Sequence, residues 1–282
     1  FLSVAVLAAA VAAAVGLWVA QGQTSGGIAA AENNIYQKVR TTGVIRCGYF
    51  EEPPFTMTDP KTGQRSGIAV DVIEAIAAHN GLKVDWAEQI VFGTFLTDLA
   101  NQRYDAVCGS VFTIPRGQGE VDYTAPYAIA KMNAYVKAEA TGWGDAATNK
   151  ARLKLPTTTF AVVDGEAGTL MKRNFFPAAK EYALPQNGSV SELLLSVATG
   201  KADVTLVLES VFAEYNKHNP GVLVPLSSPS YQFPIGFATK VGEHDFRQFL
   251  DVNLRTLAIS GELQEIFERY PNQVAGVYRP NY

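Results

Sequence analysis

The segment Tyr104–Tyr127, YDAVCGSVFTIPRGQGEVDYTAPY, constrains this chain more than any other. Ala106, Val107 and Cys108 follow Asp105 as a short apolar run of the kind that forms a buried strand. The run breaks at Gly109-Ser110 and passes through small and hydroxylated residues to Thr113, Pro115 and Arg116. A strand whose carboxyl end opens into a polar loop is where open α/β sheets hold ligands. Arg116 offers a rigid fork of donors that matches a carboxylate or phosphate. A solvated loop arginine is the plain alternative.

The patterns on either side set the architecture. Val44–Gly48 reads as a strand, and Asp71 precedes a helix with Ile73, Ile76 and Ala77 on one apolar face, stopped by Gly81. Leu82–Glu88 reads as the next strand, and Phe92 and Phe95 open a second helix that buries Leu96 and Leu99. Strand–helix–strand–helix–strand argues a parallel sheet with right-handed crossovers. Ile129–Val136 then reads as a strand crossing to a second lobe, followed by the strand Phe160–Val163 and a Gly165 turn into a helix. Ser189–Thr199 is a Leu-rich helix stopped by Gly200, Ala202–Leu208 a strand, and Gln232–Thr239 the return crossing. Phe246, Phe249, Leu250, Leu254 and Leu257 mark an amphipathic helix, with a shorter one at Glu262–Arg269.

Composition excludes some classes. With 282 residues, 48% hydrophobic, there is ample material for a core. A net charge of −4 and no basic run leave nucleic acid without an electrostatic footprint. His79, His218 and His244 show neither metal spacing nor a nucleophile–base pattern, so no metal or cofactor is expected.

Phe1–Ala20 carries no charge and, as a helix, would span about 30 Å, enough to cross a hydrocarbon core. Trp18 suits an interfacial position near its end. Residues 1–22 are therefore expected to be an uncleaved transmembrane anchor. The alternative is a cleaved export signal ending at Ala29-Ala30-Ala31. Residues 23–40 would form a tether and a short helix capped by Asn33 or Asn34.

The central segment, with VDYTAPY (Val121–Tyr127) after it, resembles the family 3 extracellular solute-binding proteins that capture amino acids for bacterial ABC importers. The resemblance takes in GVIRCGYFEEPPF (Gly43–Phe55), GIAVDVIEAIAAHNGLKVDW (Gly67–Trp86), Phe92 and GKADVTLVLES (Gly200–Ser210), and so runs from about Ile35 to Pro271. It implies an α/β, two-lobe, type II periplasmic-binding fold, with two mixed or parallel sheets flanked by helices and a hinge of two crossing strands. Residues 41–132 would form the first part of lobe 1, 133–235 lobe 2, and 236–282 the return to lobe 1 with the tail. It also places Cys47 and Cys108 near the ends of adjacent parallel strands, a poor geometry for a bond. Two buried thiols are expected, a disulfide being the alternative.

The resemblance further implies a non-enzymatic, periplasmic protein, anchored at the inner membrane, that closes on a small carboxylate-bearing solute. Its partner would be an ABC permease or another inner-membrane complex. Arg116 would grip the carboxylate, beside Ser110 and Thr113, and Phe92, Tyr49 and Phe55 would supply aromatic walls. Three positions depart from the pattern: Val111 replaces a hydroxyl, Glu166 replaces a threonine, and the acidic partner of an α-ammonium falls on Leu208, with Glu209 one place later. A slip of one residue turns a side chain to the other face. Glu51, Glu52, Glu166 and Glu209 would give the cleft an acidic side suited to a polar or basic amino acid. Two rival functions accompany this reading. One is a dehydratase-like enzyme with Glu52 or Glu166 as general acid or base, and the other is a sensor or scaffold subunit of an envelope complex.

Overall fold

The computed structural model describes residues 34–113, 121–185, 187–271 and 274–281. The expected anchor and most of the tether lie outside the described residues, as does Arg116. Among the described residues no helix is long and apolar enough to cross a membrane.

Asn34 caps the first helix, α1 (Ile35–Thr42), its side chain accepting from the Tyr36 N–H at 2.8 Å, and Gly43 closes it at φ 70°. The first lobe continues with β1 (Val44–Tyr49), the small hairpin β2 (Met57–Thr58) and β3 (Arg65–Ser66), α2 (Ile68–His79), β4 (Lys83–Gln89), α3 (Phe95–Ala100) and β5 (Ala106–Phe112). After β6 (Val121–Tyr123), the strand β7 (Ala128–Lys137) leads into the second lobe. That lobe holds α4 (Ala146–Leu153), β8 (Thr159–Val163), α5 (Ala167–Phe175), β9 (Lys180–Leu184), α6 (Val190–Ala198), β10 (Val204–Leu208) and α7 (Glu209–His218). The long strand β11 (Leu223–Lys240) returns, followed by α8 (His244–Ser260), α9 (Glu262–Glu268) and β12 (Val277–Tyr278).

One ladder runs in the order β4-β1-β5-β11-β7-β10-β8-β9. Its two flanks are parallel, β4, β1 and β5 in the first lobe and β10, β8 and β9 in the second. Its middle is antiparallel, where β7 and β11 pair with each other and with the flanks. The two separate sheets expected are thus joined, because the crossing strands stay hydrogen-bonded from lobe to lobe. β5 is buried at every position and so is β10, as strands covered on both faces must be.

Helices α8 and α9 pack on α2. α8 buries Phe246, Leu250, Leu254 and Leu257, a helical stripe worth about 1.5–3 kcal/mol per side chain. Tyr270 ties the return to α2, accepting from the Gly67 N–H at 2.8 Å and donating to Asp71 at 2.9 Å. β12 then adds to β7 opposite Ala130 and Ile129, at the start of the crossing.

Cys47 and Cys108, expected as thiols, are joined by a disulfide with Cα atoms 5.4 Å apart. The strands are parallel neighbours, but Cys47 stands opposite Ala106, so the two cysteines meet diagonally. That separation lies within the range a disulfide spans, and the objection to directly adjacent parallel positions does not apply.

Candidate functional site

β1 runs out into a tight turn at Glu52, whose N–H donates to the Thr56 carbonyl at 3.0 Å while the Thr56 N–H returns a bond to the Glu52 carbonyl at 3.1 Å. This fixed backbone sends the two neighbouring glutamates different ways. Glu51 accepts from the Thr58 N–H at 3.1 Å on the exposed side of the loop. Glu52 is buried, and the Ser110 hydroxyl of β5 donates to its carboxylate.

The second lobe meets this point. β8 ends in a turn where Gly165 has φ 82°, and a Cβ there would stand 2.1 Å from the Phe92 carbonyl oxygen of the first lobe. Only glycine combines that backbone with so close an approach. Glu166, the next residue, caps α5, its carboxylate accepting from the Thr169 N–H at 3.2 Å, and it is buried as well. The closed arrangement therefore sets a carboxylate from each lobe in one interior.

Burial pushes the Glu52 carboxyl up to about 7, the Ser110 hydrogen bond opposes that shift, and the charge of Glu166 adds to it. Tyr127 is also raised well above its ordinary range, by burial and then by the Glu52 charge. Its hydroxyl donates to the Gly109 carbonyl at 2.9 Å beneath the site.

The aromatic residues divide by strand alternation. Phe92 stacks on Phe50 with centroids 4.5 Å apart, and Phe50 meets Phe95 edge-on at 5.5 Å. Phe50, Ile90 and Phe92 face Asn187, Gly188 and Val190 of the second lobe across a cavity of about 150 Å³. Tyr49 instead lies edge-on to Trp86 at 5.7 Å, with the Arg65 guanidinium 4.2 Å over its ring. Phe55 is fully buried against Tyr127 in the main core.

Thr113 is fastened to the hinge, its N–H and hydroxyl both donating to the Pro234 carbonyl, at 3.0 and 3.3 Å. Glu209, the first residue of α7, pairs with Lys131 at 3.3 Å and accepts from Asn133 at 3.4 Å. Glu52, Ser110 and Glu166 come together, with Phe92 at the lobe contact, whereas Tyr49, Phe55, Thr113 and Glu209 have other neighbours. Phe50 was missed as a wall residue. Period-two alternation would have found it, since Tyr49 shares a face with Cys47 and Phe50 takes the other.

A larger cavity, of about 660 Å³, lies beside Gly142, Arg152, Leu155 and Asp203. Its two charged groups are already engaged. Arg152 donates to the Thr141 carbonyl at 2.7 Å and covers Trp143, and Asp203 accepts from the Thr159 N–H at 2.8 Å.

The profile of the bacterial extracellular solute-binding proteins, family 3, matches residues 45–273 of the chain. A probable histidine-binding protein of Campylobacter jejuni is 24% identical over 190 residues, covering 67% of this chain and 69% of that one. Two solved structures share the fold. The cysteine-binding protein from Campylobacter jejuni superposes with TM-score 0.71 at 18% identity, covering 85% of this chain and 93% of the other. A mutant of the arginine-binding protein ArgBP from T. maritima superposes with TM-score 0.70 at 20% identity, covering 84% and 98%.

Proposed function

The chain belongs to the bacterial extracellular solute-binding proteins, family 3, and on that premise we propose that it captures an amino acid in the cleft between its lobes and presents it to an ABC permease. The observation that carries this reading is the meeting of Glu52 and Ser110 from one lobe with Glu166 from the other, in a buried interior. Polar groups converging from two mobile bodies are what a solute enclosed by hinge closure needs. Arg116 is assigned to the ligand carboxylate from its place after Thr113 in the sequence, and residues 1–22 to a tether at the inner membrane. With Glu209 held by Lys131, the ammonium of the ligand falls to Glu52 or Glu166. The relatives are named for histidine, cysteine and arginine, which supports amino acids as the class.

Thermal denaturation of the fragment from Glu32 onward, against a panel of amino acids and small carboxylates, tests this. A ligand at about 100 times its dissociation constant adds roughly 2.7 kcal/mol of stability. Arg116→Ala is expected to weaken binding by roughly 1.5–3 kcal/mol, the worth of a charge-assisted contact. A panel without any shift would favour the sensor or scaffold reading.

A further inference from the structure

Glu52 combines three features. Its backbone is locked by the reciprocal bonds with Thr56, its carboxylate is held by Ser110, and it is buried, with the Glu166 carboxylate of the other lobe near enough to act on its charge. Among the described residues, the groups facing it are the Ser110 hydroxyl of β5, the Tyr127 phenol and the Glu166 carboxylate. The phenol stays neutral, and Glu166 brings negative charge. With Arg116 assigned to the ligand's carboxylate, its charge and that of Glu166 offset each other, and an ionised Glu52 sealed there lacks water to solvate it, so closure is opposed unless a further positive charge enters.

Resting on the solute-capture reading above, we propose that Glu52 is the residue that selects the charge of the ligand's side chain, the α-ammonium falling to Glu166: in the empty closed cleft Glu52 carries a proton, and it releases that proton to solvent when a side-chain ammonium, guanidinium or imidazolium of the ligand takes its place. Charge balances in the exchange, with one cation entering the cleft and one proton leaving. The carboxyl titrates near pH 7, so the exchange falls in the range where modest acidification changes capture. A neutral side chain cannot replace the proton, and selectivity for cationic over neutral ligands follows from the same residue. Glu166, engaged at its own helix, strengthens the preference without carrying the proton.

Calorimetric titration of arginine and glutamine into the protein, at about pH 6 and about pH 8 and in buffers of different ionisation enthalpy, measures the exchange. Arginine affinity is expected to rise with pH by up to about tenfold per unit, with about one proton released per arginine bound near pH 6. Glutamine is expected to show neither effect. Glu52→Gln should abolish the proton release and lower the arginine-to-glutamine preference, while Glu139→Gln, at an exposed position just past the end of β7, changes neither. Infrared difference spectra of ligand-free wild type against Glu52→Gln should show a protonated carboxyl near pH 6. If that band is absent beside normal ligand binding, or arginine binds without proton release, the exchange is overturned and solute capture stands. If the band is present but no member of the panel binds at either pH, solute capture falls and the exchange falls with it.

Discussion

At the scale of single residues, Glu52 links the site to stability. Its carboxyl is raised from 4.5 to about 7 in the folded protein, so between those values the native state keeps a proton that the unfolded chain has lost. Stability from this group is therefore full below about pH 4.5 and falls as pH rises to about 7, by on the order of 3 kcal/mol. Chemical denaturation across this range should show that loss in the wild type, and Glu52→Gln should flatten it. Gly165 is a second test, because a side chain at φ 82° is strained and its Cβ would strike the Phe92 carbonyl. Gly165→Ala is expected to keep the lobes apart and weaken capture at least tenfold, for a cost of about 1–2 kcal/mol, read by titration calorimetry. Glu52 and Glu166 stood out as candidates in the sequence because each follows the end of a strand, whereas Ser110 lies inside β5, which runs on through Gly109-Ser110 to Phe112 rather than breaking there. The partner each would find was not legible, since Glu51 and Glu52 are neighbours of one type and only the Thr56 turn separates their fates.

At the scale of elements, the strands and helices with strong apolar patterns were legible: the helix from Ser189, the strand before Glu209 and the stripe of α8 all lie within a residue or two of their expected ends. β9 was missed because its residues are mostly exposed and carry no apolar run. α7 was missed because it starts at Glu209 directly from β10, without a side-chain cap to announce it. β11 starts at Leu223, nine residues before the expected crossing at Gln232, and runs through Pro225 and Pro229; its register shifts between Pro225 and Ser230, and the ladder absorbs both prolines there. The disulfide tying β1 to β5 closes a loop of sequence separation 61. Cys47→Ser is expected to lower stability by about 4 kcal/mol in urea unfolding, the entropy of a loop that long. An unchanged midpoint would mean the bond adds nothing.

At the scale of the whole molecule, the two-lobe plan was legible from the order of patterns, whereas the third strand at the hinge was not, because Val277-Tyr278 is too short to declare itself. Deleting residues 274–282 is expected to free β7 at Ala130 and Ile129 and shift the empty protein toward the open form, seen as a larger radius of gyration in X-ray scattering. The placement of β12 has a mechanical consequence. The tail shares a surface cavity with Phe267 and Gln264 of α9 in the first lobe, while a Cβ at Gly276 would stand 2.7 Å from the Cβ of Glu209 in the second. Whatever rotates one lobe against the other must bend or unzip this strap, so occupancy of the cleft is transmitted to the outer edge of the sheet. A fluorophore on half-exposed Tyr278 would then act as a gauge of solute capture, far from the solute itself.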